Sequence, residues 1–167
     1  MEINLQPYLE NELVELTPLK PADFEMLFEV ASDPLIWEQH PDKHRYKKEE
    51  FEKYFLTAIE SKGAFLIYAK TNGELIGCSR YYDHDEKNKQ IAIGYTFLAR
   101  KCWGRSYNQD LKKLMIDYAF TFVETVLFHI GTNNLRSRKA IEKIGAKLKT
   151  QEENSVVYVI EKKNWSN

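Results

Sequence analysis

The chain has 167 residues, 43% hydrophobic and 13% aromatic, with 24 Lys and Arg against 25 Asp and Glu for a net charge of −1. That length and apolar content suit one globular domain over residues 1–167 and exclude a disordered chain. Near neutrality removes the electrostatic footprint of a binder of duplex nucleic acid or of an anionic membrane.

No stretch approaches about 18 uninterrupted apolar residues, so no membrane span is predicted. The first residues lack the basic region and apolar run of a secretory signal. Cys78 and Cys102 are too few and too scattered for a metal cluster or a disulfide framework. A reduced, cytoplasmic protein without a metal is the expectation, with Cys78 a buried structural thiol and Cys102 a loop thiol.

Residues 12–19 alternate apolar and polar side chains and predict a first strand, ending at Thr17-Pro18. Pro21-Ala22-Asp23 opens a helix with Phe24, Leu27, Phe28 and Ala31 on one face, and Ser32-Asp33-Pro34 breaks it. Residues 35–46 (LIWEQHPDKHRY) have no clear period and predict a loop with a helical turn, of the kind that walls a pocket. Residues 47–61 carry Phe51, Tyr54, Phe55, Ala58 and Ile59 as the buried stripe of a second helix.

Strands follow at 64–70 and 74–82, joined by Thr71-Asn72-Gly73, a strong hairpin signal. A charged turn at 83–88 leads into residues 91–98, a near-continuous apolar run that suits a strand covered on both faces. Next comes a helix from Ser106 to near Glu124. Ser106 and Gln109 have capping-box spacing, and Leu111, Leu114, Met115, Tyr118, Ala119 and Phe122 form one apolar face. Residues 126–130 predict a buried strand, 134–143 a helix closed by Gly145, and 146–151 with 155–161 a final hairpin. The order β-α-α-β-β-β-α-β-α-β-β defines an α/β (α+β) domain with one mixed sheet of about seven strands and four helices. Strands 91–98 and 126–130, joined by a long helix, should be parallel neighbours with a right-handed crossover.

The loop after strand 91–98 holds Arg100, Lys101, Trp103, Gly104, Arg105 and Ser106, and a helix starts at once. Free N–H groups, the positive dipole end and nearby cations converge there, a recipe for binding an anion such as a pyrophosphate. Neither GxxxxGK[ST] nor the three-glycine dinucleotide fingerprint is present. Parallel neighbours bring the start of the next helix to the same sheet edge, where open α/β sheets bind ligands. By helical period Asn134, Ser137, Ile141 and Ile144 share a face. In isolation Asn134 reads as an N-cap and Ser137 as a first-turn residue; beside an anion loop both become ligand contacts.

The segments RKCWGRSYNQDLKKLMIDYAF and FHIGTNNLRSRKAIEKIGAKL together resemble the GNAT superfamily of acyl-CoA-dependent N-acetyltransferases, above all its ribosomal-protein N-terminal acetyltransferase (RimJ/RimL-like) branch. In that branch a [QR]xxGx[GA] loop holds the coenzyme pyrophosphate and an NxxSxRxxEKxGF helix meets the pantetheine arm. Here the first motif is residues 101–106, and the second runs through Asn134, Ser137, Arg138, Glu142, Lys143 and Gly145. The resemblance implies the acyl-CoA N-acyltransferase fold, splayed between its central parallel strands at a bulge where Gly94 stands. It also implies acetyl-CoA as cosubstrate, an amine acceptor, and a monomer or homodimer. Coenzyme contacts are implied at Phe97, Leu98, Arg100, Lys101, Trp103, Gly104, Arg105, Ser106, Tyr107, Asn134, Ser137, Arg138 and Lys143.

Lys101 and Ser106 depart from the loop pattern, which usually has Gln or Arg and Gly or Ala there. Ala92 replaces a Glu that often helps deprotonate the amine, and Ile141 replaces a Tyr that often serves as acid. By resemblance the implied catalytic role falls to Ser137, relaying a proton to the departing thiolate. His129, next to last in its strand, is a candidate base because imidazoles titrate near roughly 6.5; an ordinary strand histidine is the alternative. Glu38, His40, Tyr82, Asp83 and His84 are candidate acceptor contacts. The missing Glu and Tyr leave a non-catalytic coenzyme-binding domain as the other reading.

Overall fold

The alternating and apolar runs become one sheet in the computed structural model, which describes residues 2–166. Its strands are β1 (Leu9–Glu10), β2 (Val14–Pro18), β3 (Ala64–Ala69), β4 (Glu74–Asp85), β5 (Gln90–Leu98), β6 (Thr125–Gly131), β7 (Lys147–Gln151) and β8 (Ser155–Glu161). The helices are α1 (Phe24–Ala31), α2 (Lys48–Ser61), α3 (Tyr107–Ala119) and α4 (Leu135–Lys143). The strands line up as β1-β2-β3-β4-β5-β6-β8-β7. Every neighbouring pair is antiparallel except β5 and β6, whose long helical connection makes them parallel.

Eight strands stand where about seven were expected. The extra one is β1, two residues pairing Leu9 with Leu16, too short to show a period. The final hairpin places β8 inside, against β6, and β7 at the edge. Side chains decide this: β8 buries Val156, Tyr158 and Ile160 at alternate positions, whereas β7 exposes Lys147 and Lys149. Lysines on an edge strand discourage pairing with another chain.

Helices cover both faces. On one, Leu27 of α1 and Phe51, Tyr54 and Phe55 of α2 meet Leu66, Cys78 and Phe97 of the sheet. On the other, Leu111, Met115, Ile116 and Ala119 of α3 meet Phe65, Ile67, Ile91 and Ile93. β5 contributes to both clusters, which is why its apolar run is nearly continuous. Glu49 and Glu50 sit in the first turn of α2, favourable at the positive dipole end, and Lys62 ends the helix at φ 52°. α3 stops at Ala119 rather than near Glu124, because a turn through 120–122 carries Phe120 and Val123 into the core. Cys78 is fully buried, and burial pushes its thiol up to about 11, as a structural thiol requires.

β5 and β6 pair over three positions, Gln90 with Thr125, Ile91 with Val126 and Ala92 with Leu127. Beyond them β5 stays with β4 through Leu98 while β6 stays with β8 through Gly131. The central strands therefore part. The bulge falls one residue past Gly94: the β4–β5 register shifts between the pairs Arg80–Gly94 and Cys78–Phe97, and Tyr95 holds φ 53°. A left-handed aromatic residue costs roughly 1–3 kcal/mol unless its surroundings fix it. Here the Tyr54 hydroxyl donates to the Tyr95 carbonyl and the Arg80 guanidinium stacks 3.8 Å from the Tyr95 ring. Gly94 answers a different need, since a Cβ there would lie 3.3 Å from the Tyr82 ring and hydroxyl and glycine makes room for that ring. β4 also runs on to Asp85, through residues expected as a turn, with a second irregularity where Asp83 has φ 52°.

Candidate active site

The parting strands enclose a cavity of about 810 Å³, in the size range of small-molecule sites. Residues 93–98 of β5 and the start of α3 form one side. Residues 128–131 of β6, α4 and the loop at 36–45 form the other.

At one end lies the loop 103–106. Among the described residues no carbonyl or side chain accepts a hydrogen bond from the amides of 104 through 109. These are the orphan donors of a helix start, at the positive end of its dipole. Gly104 has φ 71° and open space around a built Cβ, so backbone conformation, not crowding, calls for glycine. Ser106 occupies the N-cap of α3, yet its side chain accepts no capping bond and the expected box with Gln109 does not form. That leaves the amides to a ligand. Trp103, Gly104, Arg105, Ser106, Phe97 and Leu98 all line the cavity.

Arg100 and Lys101 do not. Arg100 turns to Asp33 at 2.5 Å and Lys101 to Glu74, each across a short 3-10 turn that aims them outward. Tyr107 is buried in the core and does not line the cavity. Cys102, expected as a loop thiol, is buried and reaches the cavity.

Asn134, Ser137, Ile141 and Ile144, the face given by the helical period, all line the cavity, Ile141 as a buried side chain, and Lys143 reaches it as well. Asn134 is the N-cap, its Oδ1 accepting from the Ser137 N–H at 3.3 Å. Among the described residues no hydrogen bond engages the Ser137 hydroxyl. Arg138 points the other way, donating to the Thr132 carbonyl at 2.9 Å and the Tyr158 hydroxyl at 3.2 Å. Arg136, not singled out in the sequence, stacks 3.7 Å over the Trp103 ring and donates to the Ile36 carbonyl at 3.2 Å, bridging the cleft.

The other end of the cavity is aromatic and cationic. Tyr82, Tyr95, His40 and Arg45 line it, and the Arg45 guanidinium lies 5.3 Å from the Tyr54 ring and 5.7 Å from the Trp37 ring. Burial, then the charges of Arg45 and Arg136, bring His40 down to about 4, so it is neutral at physiological pH. Burial raises the Tyr82 phenol well above its usual range. His129 stands exposed at the rim, its ring 6.1 Å from that of Tyr82. Glu38 and Asp83 are exposed and outside the cavity, and His84 packs on Phe122 away from it. Among the described residues no Asp or Glu lines this cavity.

Sequence reasoning missed Lys112. It is 5% exposed, opens into the cavity, and its Nζ donates to the Thr96 hydroxyl. A signal was there: Tyr107, Leu111, Met115, Ile116 and Ala119 are the buried face of α3, and Lys112 sits one turn before Ile116 on that face. The expected stripe through Leu114, Tyr118 and Phe122 is only half-buried.

A strand-splayed sheet with a free-amide loop beneath the gap defines a class, and the sequence comparison names it. A profile of the acetyltransferase (GNAT) domain matches residues 14–147, and the chain belongs to that family. No curated protein matches the sequence. Among solved structures, a GCN5-related N-acetyltransferase from Brucella melitensis superposes with a TM-score of 0.81 at 19% identity, over 96% of this chain and 80% of that one. A GNAT-family acetyltransferase from Bacillus anthracis gives 0.78 at 15% identity, over 95% and 100%. Mycobacterium smegmatis RimJ, solved with CoA-disulfide, gives 0.73 at 15% identity, over 96% and 88%. At such identities these neighbours establish the fold.

Proposed function

We propose that this chain transfers an acetyl group from acetyl-CoA to a primary amine by direct attack in a ternary complex, its 167 residues acting as one domain. The observation that carries this is the run of free amides at 104–109, opening into the gap between β5 and β6. Those amides, with Arg105 and Lys143, are placed to hold a pyrophosphate. The unpaired edge of β5 offers backbone groups to a pantetheine arm, and the N–H groups near Phe97 and Leu98 suit a developing oxyanion. The coenzyme supplies an activated thioester; positioning and proton handling fall to the chain. Ser137 is a weak acid, so its hydroxyl relays a proton to the leaving thiolate rather than donating one outright.

The two motifs and the RimJ neighbour support the RimJ/RimL-like branch and a cytoplasmic enzyme acting on a protein N-terminus or a small amine. The acid-free lining and Arg45 favour an acceptor that carries a carboxylate over a polyamine. A second reading, coenzyme binding without catalysis, is favoured by Ala92 and Ile141, both buried and unable to ionise.

The substitution Gly104→Glu sets a carboxylate against the pyrophosphate and should abolish CoA binding in calorimetry, while the domain stays folded with a loss of roughly 1–3 kcal/mol from a side chain at φ 71°. Unchanged affinity would remove the loop from the site. Release of thiol from acetyl-CoA over a panel of amino acids, peptides and polyamines separates the enzyme from the silent binder.

A further inference from the structure

We propose that Lys112 is the catalytic base of this site, taking a proton from the acceptor amine so that the neutral nitrogen can attack the thioester. The proposal rests on the N-acetyltransferase reading of the cleft. α3 buries Lys112 one helical turn after Asn108, just beyond the free amides, with its side chain opening into the cavity. Its nitrogen has one hydrogen-bond partner among the described residues, the Thr96 hydroxyl. Thr96 follows the bulge residue Tyr95 on β5, and its hydroxyl is in turn hydrogen-bonded to that of Ser79 on β4 at 2.7 Å. The amine thus sits beside the bulge, against the stretch of β5 that has left β6. Among the described residues no carboxylate offsets it, and burying a lone ammonium is expensive enough that such lysines tend to mark functional sites.

The other groups around the cavity do not serve. Thr96 and Ser79 are uncharged hydroxyls. Arg105 on the loop, Arg45 at the far end and Arg136 across the cleft on Trp103 offer guanidinium groups, which donate hydrogen bonds and do not act as bases. Cys102 is held as a thiol by burial, and Lys139 and Lys143 of α4 are exposed rather than enclosed. His40, at about 4, is too weak a base to hold a proton at neutral pH. His129, on β6, is exposed at the rim rather than enclosed. Burial alone brings Lys112 down to about 7, so a large fraction is unprotonated near neutrality, unlike a surface lysine near roughly 10.4.

The step balances. The acceptor ammonium gives one proton to Nζ, and the nitrogen forms its bond to the carbonyl carbon as the carbon–sulfur bond breaks. The second nitrogen proton goes to the thiolate, and Nζ returns its own to solvent.

The test uses the full chain. For the wild type, kcat/KM should rise with pH to a plateau with a midpoint near 7. Lys112→Met should lower kcat by roughly 10²–10⁴-fold and abolish that rise, with CoA affinity by calorimetry unchanged. Lys112→Arg keeps charge and donors but never deprotonates in this range, so it must stay as slow as the Met variant. In His129→Gln the rise should persist whatever the plateau height. A readout independent of turnover is ¹³C-lysine NMR of the free protein, in which one Cε resonance should titrate near 7 and vanish in Lys112→Met. Rescue by arginine, or a Lys112 that titrates like the surface lysines, overturns the proposal. A wild type that binds CoA yet acetylates no amine removes the base role and leaves the coenzyme site standing. Absence of CoA binding refutes the cleft itself.

Discussion

His40 shows how one residue sets a pH limit on the fold. Its ring meets that of Trp37 at 4.9 Å, its backbone N–H donates to the Trp37 carbonyl, and burial and two arginines hold the imidazole near 4 against 6.5 when free. Between those values the unfolded chain binds the proton that the folded one refuses, so stability rises with pH across the window and is lost as pH falls from 6.5 toward 4. The full effect is on the order of 3 kcal/mol. His40→Gln should flatten this slope, as urea midpoints at pH 7 and pH 4.5 would show, and an unaltered slope would mean that the ring titrates freely. At this scale the sequence spoke unevenly. Gly104 was legible as part of the loop motif, whereas its left-handed backbone was not. The ion pairs of Arg100 with Asp33 and of Lys101 with Glu74 were not legible, because the partners lie far away in sequence. Lys112 was hidden among the lysines of a helix whose true buried face is rotated from the one the period suggested.

Among the elements, β4 and β5 carry the site through an unusually close approach. A Cβ on Gly77 would sit 2.0 Å from the Phe97 carbonyl oxygen, and that backbone cannot retreat without moving the cavity wall. Gly77→Ala should therefore cost more than about 2 kcal/mol in denaturant unfolding and also weaken CoA binding. Loss of stability alone would uncouple the strand from the cleft. The hairpin at Asn72-Gly73, the helices and the parallel pair were readable because each has a strong local signal. β1 was not, being shorter than a period, and neither was the continuation of β4 through Asp83, because charged residues at a left-handed bulge read as a turn. The position of the bulge at Tyr95 instead of Gly94 follows from Tyr54 and Arg80, both distant in sequence.

For the molecule as a whole, α3 is the axle. Tyr118 donates to the Asn4 carbonyl at 2.6 Å, Asn11 reaches Asp110 at 3.4 Å, and the Trp165 indole donates to Asp117 at 2.6 Å, so segments from both ends of the described chain are tied to one helix. CoA at 100 times its dissociation constant should add about 2.7 kcal/mol, or roughly 5–10 °C in thermal midpoint, and no shift would argue against binding. The general architecture was readable because the order of elements constrains it. The ties along α3 were not, because each joins residues with no local pattern between them.

The sheet, finally, is two half-sheets sewn by three residue pairs between β5 and β6. Past that seam the chain leaves a ladder unfinished, with rungs on β5 that only a guest can complete. Deuterium should therefore enter those amides of 93–98 that point away from β4 readily in the free protein and slowly once CoA fills the gap. The coenzyme would then act as a missing strand, and the stiffness of the molecule would depend on what it carries.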